Sequence, residues 1–569
     1  MGRKGRYQRW GAAAVLVLLA LCVTGIVYPM VFYMNDDVTM RNILSGVYTG
    51  MPDGHAVYMK YPLTGLLSLL YRLTDRVPWF SLLLAGSFWL AISMALGHLA
   101  DMVEGLKSAG VGIMAGVTFL CAALFLQHFI YLHYTVAAAM LGGCGLFLCV
   151  TGAGWTAVFP LVLCYCMRSQ VFFLLLPFLG IAVLWQLWER KIKDQAVFLV
   201  LLAGCALICM LWNGFMYRSE DWEQYEAYNE SRTQLYDYND LLSYEQYAVQ
   251  YKEAGIGPQE YTVMEQYALA LDNTVDADML QAAADIYADR IAQGRGTWTF
   301  LKECVLEYYY HAVYTDQPYN YIAIAVYLLA AALLLWRRRW TQLLLVCCLA
   351  AGRSVIWVYL LWQGRFPERI YVSLYLLELM ILAGMCCDAA VSCLREGTAG
   401  EEGFPVCRIR TGAATFLLCA ALSAAGIYQM GSMESRVTEQ LAYQERWNAL
   451  TAYCEERNTY FYLLDVRSMV SYAGEVWESV SGEANYLLDG GWMSATPLLK
   501  ERIQKLGAED GAELLLKGAG EIFYITAVNR EAGWLDEYLE RRFGGTSLEQ
   551  VDSILLSGEE IFRVYRCVE

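Results

Sequence analysis

Charge is scarce in this chain. Asp, Glu, Lys and Arg make up 17% of its 569 residues, where an ordinary soluble protein carries about a quarter. Hydrophobic residues make up 57%, and the mean hydropathy is +0.35, which excludes an ordinary soluble domain. Positive charge is in deficit: the formal net charge of −16 excludes a nucleic-acid partner. Metal-ligand patterns are missing too. No CxxC pair has a partner pair, and no histidines at the candidate positions stand at helical ligand spacing, so no zinc site and no required metal or other cofactor is indicated. The chain has no internal repeat and no low-complexity segment, and its C-terminal region has no nucleophile elbow or phosphate loop.

What is present is a series of apolar blocks of about twenty residues, the length that crosses a bilayer core as helix. Lipid cannot satisfy open backbone groups, so such blocks must be helical. The spans read as Gly11–Tyr33, Trp79–Leu96, Val111–Tyr131, Thr135–Thr151, Trp155–Met167, Val171–Trp188, Ala196–Tyr217, Tyr321–Trp336, Leu343–Trp362, Ile370–Ala389 and Ala413–Tyr428. Trp155–Met167 is short enough to be re-entrant. Most of the 18 cysteines lie inside these blocks and pack as small hydrophobes, while Cys454 and Cys567 form a candidate disulfide nearer the C-terminus. The fold class is thus an all-α polytopic membrane protein of about eleven transmembrane helices with a small C-terminal α/β domain.

Basic residues set the orientation. Arg3, Lys4, Arg6 and Arg9 precede the first span, Arg190, Lys191 and Lys193 follow the sixth, Arg337–Arg339 follow the eighth, and Arg395, Arg408 and Arg410 follow the tenth. All fall on the cytoplasmic side if residues 1–10 are cytoplasmic, as the positive-inside rule requires. Residues 11–430 then form the membrane domain, with outer loops 34–78 and 218–320, and 431–569 form an extracytoplasmic domain. Short loops and the lack of eukaryotic sorting signals point to a bacterial plasma membrane. In the outer regions Trp222–Leu235 and Asp276–Gln293 read as helices, Tyr460–Leu464, Glu521–Ala527 and Glu560–Val568 as strands, and Pro497–Leu506 as an amphipathic helix.

The most informative stretch follows the first span: Asn35-Asp36-Asp37-Val38-Thr39-Met40-Arg41. Adjacent carboxylates just beyond a membrane helix are either solvated caps or a site. The loop continues through Gly46, Gly50 and Pro52 to His55 and an amphipathic segment, Tyr61–Leu73. It reads as a short helix along the membrane, a turn, and a second helix returning to the membrane. A carboxylate held over a cavity there suits removal of a proton from a hydroxyl acceptor.

An acidic pair directly after the first span, in an outer loop with juxtamembrane helices, resembles the GT-C superfamily of polyprenyl-phosphate-dependent glycosyltransferases. The resemblance covers Gly11 to Tyr428 in architecture, and the motif is short. It implies Asp36 or Asp37 as catalytic base and a sugar on a polyprenyl phosphate as donor. It also implies inversion at the anomeric carbon and a glycan, lipid or protein acceptor of the cell envelope. The subfamily, sugar and acceptor stay open, and a divalent metal held by the acidic pair is compatible with the motif.

A lipid-phosphate donor needs cations on the same face. Arg168 lies in Cys166-Met167-Arg168-Ser169-Gln170, and Arg365 and Arg369 lie in Gly364-Arg365-Phe366-Pro367-Glu368-Arg369. All three run against the positive-inside trend, which makes them phosphate-binding candidates, the alternative being interfacial anchoring or pairing with Glu368. Arg353, inside a span, is a further candidate. Arg232 closes Trp222-Glu223-Gln224-Tyr225-Glu226-Ala227-Tyr228, an aromatic and acidic segment suited to sugar or to an interfacial belt. His133, His128 and His55 flank outer turns and bind acceptor, steady the carboxylate or simply hydrogen-bond locally. Two competing readings remain: a transporter or flippase of lipid-linked sugars, and a non-catalytic scaffold. The spans are nearly free of acids, which favours chemistry at a surface over passage through the bilayer.

Overall fold

The computed structural model describes residues 3–188, 192–294, 296–398, 405–469, 472, 474–518 and 520–568. Arg190 and Lys191 lie outside the described residues, as do the side chains of Arg408 and Arg410. The first helix, α1 (Arg3–Val27), stops short of the expected Tyr33. Pro29 explains the difference: it lacks an N–H and pushes Tyr28 out of the helical region. The freed chain forms β1 (Val31–Phe32), and the loop that follows folds as α2 (Asn35–Ser45) and α3 (Tyr61–Leu73), the expected helix pair. Gly46 closes α2 at φ 91°, where a side chain would press on Met51 and Pro52.

Next come α4 (Trp79–Met102), α5 (Lys107–Ile130), β2 (Tyr131–Leu132), α6 (Tyr134–Val150), α7 (Gly154–Met167), α8 (Ser169–Trp188) and α9 (Ile192–Met216). The long insertion is helical: α10 (Glu220–Thr233) running into a π-turn at Gln234–Tyr238, then α11 (Tyr244–Glu253), α12 (Pro258–Gln266), α13 (Ala277–Gly294) and α14 (Thr297–Tyr310). The chain returns to apolar helices in α15 (Tyr319–Trp336), α16 (Trp340–Trp362) and α17 (Glu368–Thr398), followed by the 52-residue α18 (Pro405–Glu456). Among the described residues, eight helices are long and apolar enough to cross a membrane: α1, α4, α5, α8, α9, α15, α16 and α17. The apolar α6 and α7 are shorter. This composition is compatible with a multi-pass membrane protein.

Helix α6 is the centre of the bundle. Every residue from Tyr134 to Val150 is buried, and it packs against α4, α7, α8 and α17. Its glycines permit that: a Cβ on Gly142 would sit 3.0 Å from both Leu175 and Leu377, and one on Gly143 3.0 Å from Met380. At one end of the bundle, Arg9 pairs with Asp101 (2.7 Å) and Glu104 (2.8 Å), Arg339 pairs with Glu396 (2.9 Å), and Arg395 donates to the Met102 carbonyl (2.8 Å). Asp36, His133, Arg168, Arg365 and Arg369 all lie at the other end, after α1, before α6, between α7 and α8, and at the turn from α16 to α17.

The C-terminal region contains β3 (Phe461–Leu464), α19 (Val466–Met469), β4 (Tyr486–Leu488), α20 (Pro497–Lys505), α21 (Gly511–Lys517), β5 (Ile522–Ala527), α22 (Gly533–Phe543), β6 (Ser547–Leu556) and β7 (Glu559–Val568). These strands form a five-stranded sheet of order β4-β3-β5-β7-β6, with β3 parallel to β4 and β5, and β7 antiparallel to β5 and β6. Side chains alternate across it. Tyr462 and Leu464 join Trp447 and Leu450 of α18 in one core, while Leu463 joins Leu499 and Ile503 of α20 in another. The sheet also overturns the Cys454–Cys567 pairing: no such disulfide forms, because Cys454 belongs to the first core and Cys567 to the second.

Candidate functional site

The site begins with a two-residue ladder. Val31 and Phe32 pair in parallel with Tyr131 and Leu132, and the Tyr33 N–H donates to the Leu132 carbonyl (2.7 Å). This register sets the first turn of α2 against the N-terminus of α6. Asp37 is fully buried there, yet both of its oxygens are used. Oδ2 accepts from His133 Nδ1 (2.7 Å) and Oδ1 accepts from the Tyr134 N–H (3.1 Å). Asp37 therefore acts as a cap supplied from another helix, meeting an orphan N–H and the positive end of the α6 dipole. His133 is fixed by the same contact, and its Nε2 is buried with no hydrogen-bond partner among the described residues.

Asp36 is different. It keeps partial exposure, and its hydrogen bond among the described residues comes from Trp492 Nε1, which donates to Oδ1 (3.1 Å). Burial raises its pKa above the ordinary carboxylate value, and neighbouring Asp37 pushes the same way, while Arg369, His133 and Arg168 pull it back. Neither arginine has an ion-pair partner within 4.0 Å among the described residues. The Arg168 guanidinium lies 5.2 Å from the rings of both Tyr58 and Tyr134, and its Nη1 is buried without a hydrogen bond. Contacts of this kind are worth about 0.5–2 kcal/mol each and leave the charge available. Among the described residues the Arg369 guanidinium donates to the soft Met34 Sδ (3.1 Å), while its neighbour Glu368 is held by Arg436 at 2.7 and 2.8 Å. Asp36 stands in the first turn of α2, where the positive end of that helix dipole adds to the field of the two arginines.

The other sequence candidates lie elsewhere. Arg365 forms an ion pair with Asp237, lies 5.5 Å from the Tyr238 ring, and so fastens the α16–α17 turn to the insertion. Arg232 is buried and donates to Asn229, Tyr267 (2.8 Å) and Thr233. His55 bonds Asp53 (2.7 Å) and stacks on Trp222 at 4.8 Å, so it clamps the first loop to α10. Trp222, Tyr225 and Tyr228 are buried, which withdraws that aromatic segment from solvent: the three rings form one stripe of α10, and the Tyr225 hydroxyl donates to the Trp492 carbonyl (2.9 Å). His128 bonds the Tyr319 hydroxyl (2.5 Å). Arg353 pairs with Glu378 (3.1 Å) inside the bundle, ringed by Tyr308, Trp357 and Tyr375.

Sequence reasoning missed Tyr58, Lys60 and Trp492. Tyr58 lies 5.0 Å from Trp492 and follows Val57, a β-branched residue at φ 56°, a strained conformation costing about 1–3 kcal/mol. Burial lowers the Lys60 pKa, opposed by Glu226. Trp492 reaches the site because Gly490 lies directly against the Tyr267 carbonyl, with no room for a side chain. The Gly490-Gly491-Trp492 run was the available signal, since paired glycines before a large ring mark a close backbone approach. Among the described residues no group of His, Cys, Asp or Glu is gathered to hold a metal ion. Comparison with known proteins finds no matching family model, no matching curated protein and no matching solved structure.

Proposed function

We propose that this chain is a GT-C-like glycosyltransferase that moves a sugar from a polyprenyl-phosphate donor to a hydroxyl acceptor at the outer surface of a bacterial plasma membrane. The observation that carries the reading is a partly exposed carboxylate, Asp36, facing two arginines that have no ion-pair partner within 4.0 Å among the described residues. In this reading Asp36 takes the acceptor proton and the acceptor oxygen bonds to the anomeric carbon. The bond from that carbon to the phosphate oxygen breaks with inversion, and its electron pair leaves on the phosphate. Arg168 and Arg369 meet that growing negative charge. Asp37 holds His133 and α6 in place rather than reacting.

The same reading includes a topology of about eleven spans, counting α6, α7 and α18, with a cytoplasmic N-terminus and an extracytoplasmic C-terminal domain. The gathering of Arg9, Arg339 and Arg395 at the bundle end away from Asp36 supports it. The test is transfer of radiolabelled sugar from a panel of polyprenyl-phosphate donors in purified membranes. Arg168→Ala and Arg369→Ala should each cut transfer at limiting donor by about a hundredfold, the loss of one preorganised contact to developing charge. Unchanged donor use in both variants would remove the phosphate role.

One observation favours a second reading, transport or flipping of a lipid-linked sugar. Arg353 precedes the end of α16 at Trp362 by nine residues, or about 14 Å of helix rise, so its pair with Glu378 lies well inside the apolar bundle. Ionisable pairs at such depth mark transport pathways. Movement of a fluorescent lipid across proteoliposomes, lost in Glu378→Gln and retained in Asp36→Asn, would decide for it.

A further inference from the structure

A cavity of about 450 Å³ opens at the same end of the bundle, within the usual range for small-molecule pockets. Tyr33 and Tyr131 line it together with Glu439, Gln440 and Tyr443 of α18. Asn35, which also lines it, is the residue before Asp36. We infer that this cavity is a binding site for a neutral saccharide, the acceptor subsite of the proposed transfer; the acceptor role rests on that reading, the saccharide site does not.

The chemistry of the lining selects the ligand class. Arg436 faces the cavity, but both oxygens of Glu368 hold its guanidinium, at 2.7 and 2.8 Å. Glu439 has no ion-pair partner within 4.0 Å among the described residues and is exposed. The lining therefore has no spare positive charge, and a phosphate or carboxylate ligand is disfavoured. Gln440 Nε2 donates to the Tyr131 hydroxyl (3.1 Å), while its Oε1 is buried without a partner among the described residues. A carboxylate and a left-over amide oxygen are acceptors that call for donors, which sugar hydroxyls supply. Tyrosine rings offer flat faces for sugar C–H groups, with a polar tip for further hydrogen bonds. Helix α18 contributes this wall because it continues past the bundle into the C-terminal region.

The test is saturation-transfer NMR on the purified full-length protein in nanodiscs, with methyl glycosides of common hexoses and N-acetylhexosamines as probes. Glu439 and Tyr443 are exposed on α18, so Glu439→Gln and Tyr443→Ala leave the fold intact. At least one glycoside should give signal with wild type and with Asp36→Asn, and its affinity should fall about tenfold in each α18 variant, the scale of one lost charge-assisted hydrogen bond. Absence of signal with every probe, or signal unchanged in both α18 variants, overturns the inference. Binding that behaves as expected in a protein that transfers no sugar keeps the saccharide site and sinks the transferase reading alone. Transfer lost in Asp36→Asn but normal in both α18 variants does the reverse.

Discussion

Asp36 and Asp37 are neighbours in sequence with different surroundings, and each makes its own prediction. The Asp36 pKa is raised by burial and by Asp37, and held down by Arg369. A base must be ionised, so the rate should fall as pH drops through that raised pKa. Removing the cation in Arg369→Gln raises it further, and the acid limb of the pH–rate profile should move to higher pH; a limb that stays in place contradicts the assignment. Stability follows the same shift. The folded-state pKa lies above the unfolded one, so the carboxyl's stabilising contribution is full below the unfolded pKa and lost as pH rises through the folded one. Asp36→Asn carries no charge to bury, so its melting temperature at neutral pH should exceed that of wild type while transfer is lost. Asp37→Asn acts in the opposite sense. It breaks the bond from His133 Nδ1 or the cap on Tyr134 and should destabilise by about 1–3 kcal/mol. Thermal unfolding of the two variants side by side separates a base from a cap. The sequence showed the acidic pair but could not divide the roles, because the division depends on a ladder between residues about a hundred positions apart, Val31 with Tyr131 and Phe32 with Leu132.

Elements differ in how much of them could be read. Apolar blocks were legible because bilayer length and composition leave few alternatives, and Tyr61–Leu73 because its apolar face repeats at helical spacing. Helix α18 runs through Gly431, across the boundary read after residue 430, since one interior glycine costs only about 1 kcal/mol. Helix α14 was passed over, because its tyrosines and charges hide an amphipathic pattern that contact with α16 resolves, with Tyr308 bonded to Ser354 (2.8 Å). The strand β4 was invisible for another reason: three residues between irregular segments carry no period. The Trp492 turn is the element where one atom matters most. Gly490→Ala would drive a methyl into the Tyr267 carbonyl, so it should lower the melting temperature and free Trp492 from Asp36. Red-shifted tryptophan emission relative to a Trp492→Phe control would register the release; unchanged emission and stability would mean the turn tolerates the methyl.

At the scale of the whole molecule, three separate stretches of chain close over one carboxylate. The first loop supplies Asp36 and Tyr58, the bundle supplies Arg168 and Arg369, and the C-terminal region supplies Trp492. The insertion locks the last of these in place. The Ala270 N–H donates to the Asp489 carbonyl (2.8 Å), and the Tyr538 hydroxyl donates to Asp272 (2.8 Å). The proposed orientation puts all of this outside the cell. Lys505→Cys in intact cells should therefore react with a membrane-impermeant maleimide, and Lys4→Cys should react only after lysis. The most direct test of the central claim is sugar transfer by purified wild type, Asp36→Asn and Asp37→Asn, each shown to be folded, across a panel of polyprenyl-phosphate donors. The account predicts transfer by wild type, a loss of about a thousandfold in Asp36→Asn, in the range of a missing general base, and a smaller loss in Asp37→Asn. Transfer by Asp36→Asn at the wild-type rate would contradict it.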